Sequence, residues 1–304
     1  MKNNTDGVSA VIPSYNCKRN TFRLVDSLLK AKYPKLEIIV VDNGSSDSTL
    51  EEGRSKYPKV VWLDAGQVNI GQTGCYNLGF AYAKRGNHVL FVDSDVVVEK
   101  NMVKNLVSSL NKNPKIGIVT PMILYLSDKN WVNQAGSYVN LTTGRVQVGW
   151  GPKKDFLQGK EVQNSGTAML ISRKVLNKIG GFDNWFMCYF DPDYCLRAKR
   201  AGFMTWYEPE AICFHDQSKN SDVWRPRVLG RAYLLGRNRV LFMRRHSPHI
   251  ITFILCLPLL LGYYFIEALK FKQINKFFQL LGGTIVGFFY PLSASNFIPL
   301  PKKI

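Results

Sequence analysis

The chain has 304 residues, of which 46% are hydrophobic and 20% are charged. This composition is that of a folded protein, and it excludes a disordered chain, a collagen-like repeat and a small disulfide scaffold. The net charge of +18 is concentrated toward the C-terminus, because residues 223–304 hold 12 basic side chains and one acidic side chain. That charge is compatible with nucleic acid, an acidic partner or an anionic membrane surface.

The cysteines and the first residues indicate a cellular compartment. Six cysteines are scattered along the chain, without a CxxC pair and without a cysteine–histidine cluster at zinc-site spacing. This distribution predicts reduced thiols in a protein that faces the cytosol. The first seven residues are polar, and the apolar run at 8–12 is too short for a signal-peptide core. We therefore expect the amino terminus to remain in the cytosol.

The first hundred residues predict strands that alternate with helices. Four short runs rich in β-branched residues are typical of strands buried on both faces of a parallel sheet, at 8–13, 36–41, 60–63 and 88–92. Helices are expected at 21–30 and at 47–56, the second opened by serine and aspartate caps. The pattern predicts an α/β fold with an open, doubly wound, mostly parallel sheet that binds ligands beyond the carboxyl ends of its strands.

A stretch rich in glycine and asparagine runs from Asn69 to Gly79. We expect it to lead into a helix and to bring backbone amides near a phosphate or a sugar. It contains neither GxGxxG nor GxxxxGK[ST], so the dinucleotide-binding and P-loop classes are excluded.

Regular periodicity is lost between Val119 and Gln163. This segment is interpreted as a small antiparallel excursion or a long substrate loop, with no elements assigned. A strand at 164–172, a helix at 173–179 and a helix at about 191–201 are predicted after it.

Acidic side chains follow two of the predicted strands. Asp93 and Asp95 come directly after the fourth strand, where two carboxylates at this spacing can hold a hard divalent cation together with water and a diphosphate; the alternative is a solvated turn. Asp42 ends the second strand, where it can accept hydrogen bonds from the base or ribose of a nucleotide. The alternative there is an Asx turn or helix cap made by Asp42 or Asp47.

Two more acidic residues and a histidine occur later in the chain. Asp191 and Asp193 flank Pro192 at a predicted helix start, where one of them can act as a catalytic base and where a carboxylate is also an ordinary first-turn residue. His215, taken alone, is more typical of a satisfied core histidine than of a ligand.

These segments form eight ordered motifs between residue 8 and about residue 245. The first four are IPSYN at 12–16, VDNGSSD at 41–47, NIG at 69–71 with NLG at 77–79, and FVDSD at 91–95. The other four are GTAML at 166–170, GGFD at 180–183, DPDYCLR at 191–197, and PEA at 209–211 followed by His215. Together they resemble the family 2 glycosyltransferases, of the membrane-associated, rhamnosyltransferase-like type.

The resemblance implies a GT-A fold that binds a nucleotide-sugar and a divalent metal, Mn²⁺ or Mg²⁺, and transfers the sugar with inversion. It implies metal contacts from Asp93, Asp95 and His215. It implies donor contacts from a wider set: Pro13, Tyr15, Asn16, Asp42, Asn69, Gly71, Asn77, Asp93 and Gly166. The family's acidic motif commonly reads EDxD, and Phe190 replaces its first acid here. Asp191 is therefore the expected base and Asp193 its competitor.

The C-terminal region at 223–304 is expected to associate with a membrane, behind a catalytic domain at 1–222. Seven arginines between 225 and 245 are interleaved with apolar residues, which predicts a basic amphipathic helix. The uncharged segments at 250–266 and 277–292 lie at or below the lower limit of length for a membrane span. A hairpin of two spans would also export the lysines between them, which opposes the tendency of positive charges to stay on the cytoplasmic side. We therefore expect peripheral, in-plane or re-entrant helices on the cytoplasmic face of the cell membrane.

A membrane-docked transferase suggests a lipid-linked glycan acceptor, such as a polyprenyl diphosphate oligosaccharide, and no nucleic-acid partner. Addition of a single sugar is favoured over processive polysaccharide synthesis, because the QxxRW motif of those synthases is absent. The remaining alternative is a basic membrane-binding or nucleic-acid-binding module without catalysis, which explains the basic region but not the ordered acidic motifs.

Overall fold

Alternating strands and helices form the first part of the fold, as the apolar runs predict. The computed structural model describes residues 6–31, 33–84, 86–183, 188–220 and 228–292. The first elements are strand β1 (Val8–Ser14), helix α1 (Lys18–Lys30), β2 (Leu36–Asp42), α2 (Thr49–Lys56), β3 (Val61–Asp64), α3 (Gly71–Tyr82) and β4 (His88–Val92). The four predicted strands and the two predicted helices of this part are confirmed.

The middle of the chain adds short strands and the second half of the sheet. These elements are β5 (Val96–Val98), α4 (Met102–Lys112), β6 (Ile116–Tyr125), β7 (Trp131–Gln134), β8 (Ser137–Val139), β9 (Val146–Val148), β10 (Gly151–Pro152), a 3-10 helix (Lys153–Phe156), β11 (Lys160–Val162), β12 (Ala168–Ser172), α5 (Arg173–Ile179), α6 (Phe190–Arg200) and β13 (Met204–His215). The helices predicted at 173–179 and 191–201 are confirmed.

The central sheet is parallel in its first half and mixed in its second. β1 lies between β2 and β4 and is parallel to both, and β3 is parallel to β2. β12 is antiparallel to β4 and β6, whereas β13 is parallel to β6 and antiparallel to β5 and β11. The predicted α/β class with a mostly parallel sheet is therefore confirmed.

Apolar side chains of the central strands are buried on both faces of the sheet. Ile12 and Leu90 belong to the cluster under α1 and α4, and Val11 and Phe91 belong to the cluster under α3, α5 and α6. Side chains alternate between faces along a strand, so these neighbouring positions supply both cores. A rigid sheet of this kind holds its carboxyl-end residues in fixed positions.

The segment at 119–163, to which no elements were assigned from the sequence, begins with a long strand. β6 is a ten-residue strand with every residue buried, and it pairs with β7, β12 and β13. Pro121 lies within β6, although proline cannot donate a hydrogen bond to a ladder. In the structure Pro121 lies opposite Glu208 at an irregularity in the β6–β13 pairing, where proline is tolerated. The expected antiparallel element is present as β7 to β10.

The segment from Asn69 to Gly79 is also different from its prediction. α3 begins at Gly71 and takes up most of the segment, so the helix starts inside it rather than after it. A Cβ atom at Gly79 would lie 2.2 Å from Cγ1 of Val11, which is closer than side chains approach each other. Gly79 therefore allows α3 to pack closely on β1.

Three helices complete the described chain: α7 (Ala232–His246), α8 (Ile250–Lys270) and α9 (Ile274–Phe289). The predicted basic helix is confirmed as α7, while Arg225 and Arg227 lie outside the described residues. A Cβ atom at Gly283 of α9 would lie 2.0 Å from the carbonyl oxygen of Tyr233 in α7. Gly283 and Gly287 of the second apolar segment are thus close packing points against α7, and the glycines of this segment do not interrupt α9.

α8 is an apolar helix whose outer face is exposed. It has 21 residues, so the segment predicted at 250–266 is part of a longer helix that exceeds the lower limit for a membrane span. Leu255 is 72% exposed and Leu259 is 80% exposed. Among the described helices, α8 has the length and the composition to cross a bilayer. Such a helix could associate with a membrane.

Candidate active site

Asp42 lies at the carboxyl end of β2 and uses its two oxygens differently. It is 2% exposed, and its Oδ2 accepts a hydrogen bond of 2.9 Å from the backbone N–H of Ser45. Its buried Oδ1 has no hydrogen-bond partner among the described residues. A buried acceptor without a partner is rare and requires an explanation. One oxygen closes the turn considered from the sequence, and the other is free to bind a ligand.

The first residues after β1 are tied to the loop after β2. Asn16 accepts a hydrogen bond of 2.8 Å from the backbone N–H of Ser46, and its own N–H donates to Ser45 Oγ at 3.0 Å. Pro13 lies opposite Val41 in the β1–β2 pairing, one residue before the strand end. The neighbouring Tyr15 is 50% exposed. The chain therefore presents an aromatic ring next to the rim on which Asp42 lies.

Asparagine side chains fix the start of α3 against β2. Asn43 accepts from the N–H of Ile70 at 2.8 Å and donates to Asn69 Oδ1 at 2.9 Å. That oxygen also accepts from the N–H of Gly71, whose positive φ of 77° suits glycine. The side chain of Asn69, which the family resemblance implies as a contact to the nucleotide-sugar donor, thus has hydrogen-bond partners within the protein.

Asn77 and Gly166, two more of the residues expected to contact the nucleotide-sugar donor, also lie against other parts of the protein. Asn77 accepts from the backbone N–H of Phe182 and donates to its carbonyl oxygen, both at 2.8 Å. The amide oxygen and the amide nitrogen of Asn77 thus both bond the GGFD segment and join it to α3. A Cβ atom at Gly166 would lie 2.4 Å from Oε1 of Gln134, so this glycine makes room for that side chain.

Asp93 follows β4 and is held by two side chains of α3. Tyr76 donates its hydroxyl proton to Asp93 Oδ1 at 2.5 Å, and the amide of Gln72 donates to the same oxygen. Burial and the nearby charge of Asp95 both raise the pKa of Asp93 above its usual range. Asp93 is therefore a desolvated acid that a cation or a ribose hydroxyl would stabilise in its charged form.

Asp95 and His215 are brought together from the loop after β4 and the end of β13. His215 Nε2 lies 3.2 Å from Asp95 Oδ2, while Nδ1 donates to Asn133 Oδ1 at 3.1 Å. Burial alone would lower the pKa of His215, but its hydrogen bond to Asp95 raises it. Burial would raise the pKa of Asp95, and His215 lowers it. Both ring nitrogens of His215 thus have protein partners, one of them a carboxylate at the sheet edge, and its role as a metal ligand stays a prediction.

A divalent cation fits the chemistry of this pair. Asp95 Oδ1 is buried without a hydrogen-bond partner among the described residues, and the orientation of His215 directs Nε2 toward Asp95. The part of the chain that the structure describes contains no cluster of three histidine, cysteine or acidic side chains that would form a complete metal site. A metal here would take the rest of its ligands from water and a diphosphate, as Mg²⁺ commonly does.

Asp191 lies in the first turn of α6, in the wall of a large cavity. Burial raises its pKa to about 6, while the side chain of Asn164 works against that rise. At neutral pH most of the molecules carry this carboxylate in its charged form. A carboxylate with a pKa in this range is suited to accept a proton.

Asp193, two residues further, is enclosed by two arginines and a histidine. It is 1% exposed, and it contacts Arg197 at 2.9 Å, Arg245 at 3.0 Å and His246 at 2.8 Å. Burial would raise the pKa of Asp193, but these partners lower it. Its Oδ1 accepts from two side chains and its Oδ2 from a third. Asp193 thus anchors α7 to α6.

The arginines of α7 face the protein more than the sequence predicted. Arg239 is 5% exposed and donates to the hydroxyls of Tyr189 and Tyr264, each at 2.9 Å. Arg245 contacts both Asp183 and Asp193. The sequence does not reveal these roles, because the partners are 25 to 62 residues away along the chain. The available signal in the sequence was the interleaving of these arginines with apolar residues.

The cavity beside Asp191 has a volume of about 960 Å³. Its walls come from the β8–β9 hairpin, the start of α6, α7 and α8. Gly144 in the hairpin loop lies close to Phe253, where a Cβ atom would come within 2.8 Å of the ring. This contact brings the hairpin against α8 and closes one side of the cavity.

Comparison with known proteins gives distant relatives. A poly-beta-1,6-N-acetyl-D-glucosamine synthase from Staphylococcus epidermidis is 26% identical over 228 residues, which cover 73% of this chain and 53% of that protein. The probable glycosyltransferase YdaM from Bacillus subtilis is 27% identical over 225 residues, covering 71% of this chain and 52% of that protein. The chain spans about half the length of these curated relatives.

Solved structures share the fold at low identity. The mannosyltransferase PcManGT from Pyrobaculum calidifontis, in complex with GDP-Man and Mn²⁺, aligns with a TM-score of 0.60 at 18% identity, over 94% of this chain and 88% of that one. GalNAc-T7 with UDP, GalNAc and Mn²⁺ aligns with a TM-score of 0.59 at 17% identity, over 79% and 52%. These likenesses confirm the GT-A fold. The sequence model described as "Glycosyltransferase like family 2" matches residues 5–228, which is most of the chain, and the protein therefore belongs to glycosyltransferase family 2.

Proposed function

We propose that this protein transfers one sugar, with inversion, from a nucleotide-sugar donor to a hydroxyl group of a glycan acceptor. The observation that carries the proposal is the gathering of Asp42, Asp93 and Asp95 at the carboxyl ends of β2 and β4, with His215 joined to Asp95. In sheets of this type, that edge is where nucleotides bind. Family membership and the Mn²⁺ and nucleotide complexes of the structural neighbours support the same assignment.

The donor nucleotide would lie over the ends of β1 and β2. The unpaired Oδ1 of Asp42 can accept a hydrogen bond from the base or the ribose. The exposed ring of Tyr15 can cover an aromatic base. Asp93, held by Tyr76, can accept from a ribose hydroxyl.

A divalent metal, Mn²⁺ or Mg²⁺, would be held by Asp95 and His215. When bound, it would neutralise charge that develops on the departing nucleoside diphosphate. His215 keeps its proton on Nδ1 through Asn133, which leaves Nε2 directed at the site. Arg231 contributes further positive potential at Asp95.

Asp191 is the proposed general base. It would take the proton of the acceptor hydroxyl as that oxygen forms a bond to the anomeric carbon and the bond from this carbon to the diphosphate breaks. A single displacement with inversion needs one carboxylate as general base, the role that one of the two carboxyl groups has in inverting glycosidases. Asp193 is not proposed as the base, because a hydrogen bond from His246 and ion pairs with Arg197 and Arg245 occupy its oxygens and keep its pKa low.

The acceptor is proposed to be lipid-linked and to reach the site from the cytoplasmic face of a membrane. The exposed apolar face of α8 supports this, since a surface of that kind on a folded protein is typical of a membrane or a partner contact. Residues of α8 also form one wall of the cavity that contains Asp191.

The test uses the full chain in neutral-lipid nanodiscs and a panel of nucleotide-sugars with and without Mn²⁺. A ligand that binds the folded state raises its melting temperature, so we expect one donor to do so, and to do so more strongly with Mn²⁺. Asp95→Asn should remove the Mn²⁺-dependent part of the shift, and the exposed control Asp155→Asn should keep it. No stabilisation by any nucleotide-sugar would contradict the proposal.

A product assay separates single transfer from polymerisation. The named function of the Staphylococcus relative is synthesis of a polymer, and this chain covers about half of that protein. We expect the mass of the product to exceed that of the acceptor by one sugar residue. A ladder of masses at one-sugar intervals would identify a processive synthase instead.

A further inference from the structure

We propose that the cavity beside Asp191 binds an acceptor that carries a phosphate or diphosphate on an apolar chain, and that Arg239 binds this anionic group. The inference deepens the proposed function and rests on it, since it takes Asp191 as the group that receives the proton of the acceptor hydroxyl. The anionic group takes no part in bond formation.

Arg239 is a buried cation with neutral partners. Its Nε donates to the hydroxyl of Tyr189 and its Nη2 to the hydroxyl of Tyr264, while Nη1 makes no hydrogen bond to any residue that the structure describes. Among those residues, no carboxylate forms an ion pair with Arg239. Removing a guanidinium from water without a counter-charge is costly, so an anionic ligand would stabilise this arrangement.

The tyrosine hydroxyls prepare the same place for an anion. Each accepts one hydrogen bond from Arg239, so each keeps its own proton to donate. A guanidinium edge beside two hydroxyl donors matches the several acceptor oxygens of a phosphate. The charged side chains of the cavity wall are Arg145, Asp191 and Arg239, which leaves the cavity cationic even with the base ionised.

The rest of the wall is suited to an apolar chain. Val146 and Val148 line the hairpin side, and Leu259, Leu260 and Tyr263 line the α8 side. Leu259 is also 80% exposed, so the cavity opens onto the outer face of α8. An amphiphile could place its anionic group beside Arg239 while its chain continues along the surface that is proposed to face the bilayer.

The donor diphosphate has a different location in the proposal. It belongs at Asp95 and His215, at the ends of β4 and β13, whereas Arg239 is joined to the start of α6 and to α8. The acceptor hydroxyl would then lie at Asp191, between the two anionic groups. The donor diphosphate would thus be paired with the metal at Asp95 and His215, and the anionic group of the acceptor with Arg239. The two negatively charged groups would be kept apart.

The experiment measures the affinity of the full chain, in nanodiscs of neutral phosphatidylcholine, for geranylgeranyl phosphate and for the uncharged alcohol geranylgeraniol. We expect the phosphate to bind more tightly by about tenfold or more, because a hydrogen bond to a charged group contributes at least that much. Arg239→Gln should remove the preference, and Arg239→Lys should retain part of it. The matched control is Arg237→Gln, two residues earlier on α7, where the side chain bonds Asn238 and covers Tyr290; it should keep the full preference.

Several outcomes would overturn the inference. Equal binding of the phosphate and the alcohol by the unmodified chain would do so, as would displacement of the phosphate by phosphatidylglycerol at equal concentration, which would assign Arg239 to bilayer headgroups. Loss of UDP binding in Arg239→Gln, with the lipid preference unchanged, would assign it to the donor. If Arg239→Gln does not fold, Tyr264→Phe provides the test, since losing one hydroxyl should reduce the preference.

The two proposals fail separately. If no nucleotide-sugar binds the unmodified chain, the transferase proposal fails whatever the lipid affinities are. If a donor binds in a Mn²⁺-dependent manner and the phosphate preference is absent, only the acceptor inference fails.

Discussion

The donor side and the acceptor side of the candidate site are assembled from different kinds of contacts. On the donor side, Asp42 and Asp93 directly end or follow buried strands, so their positions depend on neighbouring residues in the chain. On the acceptor side, Tyr189 is bonded to Arg239 and Asp193 to His246, at separations of 50 and 53 residues. The donor side is therefore a property of the sheet, and the acceptor side forms only when α7 packs on α6.

The start of α6 shows the same contrast within three residues. Asp191 faces the cavity and burial raises its pKa to about 6, whereas Asp193 faces α7 and its cationic partners lower its pKa. Two carboxylates of one motif thus have opposite environments, and the roles proposed for them depend on that difference. The following predictions test that division, beginning with the largest effect.

Asp191→Asn should reduce kcat by about 10²–10⁴-fold, because the amide cannot accept the proton of the acceptor hydroxyl. The stabilisation by donor and Mn²⁺ should remain, since Asp191 lies outside the donor contacts. Turnover with saturating donor and acceptor is the measurement, and Asp155→Asn is the exposed control. Near-normal turnover would exclude Asp191 as the base.

Asp193→Asn should mainly destabilise the fold, by about 3–5 kcal/mol in the free energy of unfolding, because Arg245 and Arg197 would lose a buried counter-charge. Denaturant unfolding followed by tyrosine and tryptophan fluorescence measures this effect. A variant of unchanged stability with a large loss of kcat would instead make Asp193 the catalytic group.

Asn133→Ala should weaken Mn²⁺ binding about 10–100-fold, because it removes the partner that orients His215. Titration of Mn²⁺ in the presence of the donor gives the affinity. Asn130, an exposed asparagine three residues earlier, provides the control. The Asn130→Ala variant should bind Mn²⁺ normally. Equal affinities in the two variants would show that His215 is not a ligand.

The pH profile should produce the smallest change. Protonation of Asp191 removes the base, so kcat should be constant above its pKa of about 6 and should fall about tenfold per pH unit below it. The profile of Asp191→Asn should lack this inflection. An unchanged inflection in that variant would assign it to another group.

Much of the fold follows from local sequence. Runs such as LEIIVV predict buried strands, and the acidic residues directly after them predict a ligand edge, because both depend on the order of side chains over a few residues. β6 was harder to recognise, since Pro121 is acceptable only at the irregularity opposite Glu208. Glu208, the residue opposite Pro121, is 87 residues away along the chain.

By itself, the sequence determined the parallel half of the sheet, the acidic residues at its edge and the family. The tertiary structure decided which carboxylate faces the cavity, that Asn77 bonds Phe182, and that Arg239 lies inside the protein. The physical reason is that burial and charge set the pKa and the partners of a side chain. Both are properties of the neighbours that packing brings together, and those neighbours are distant in the chain.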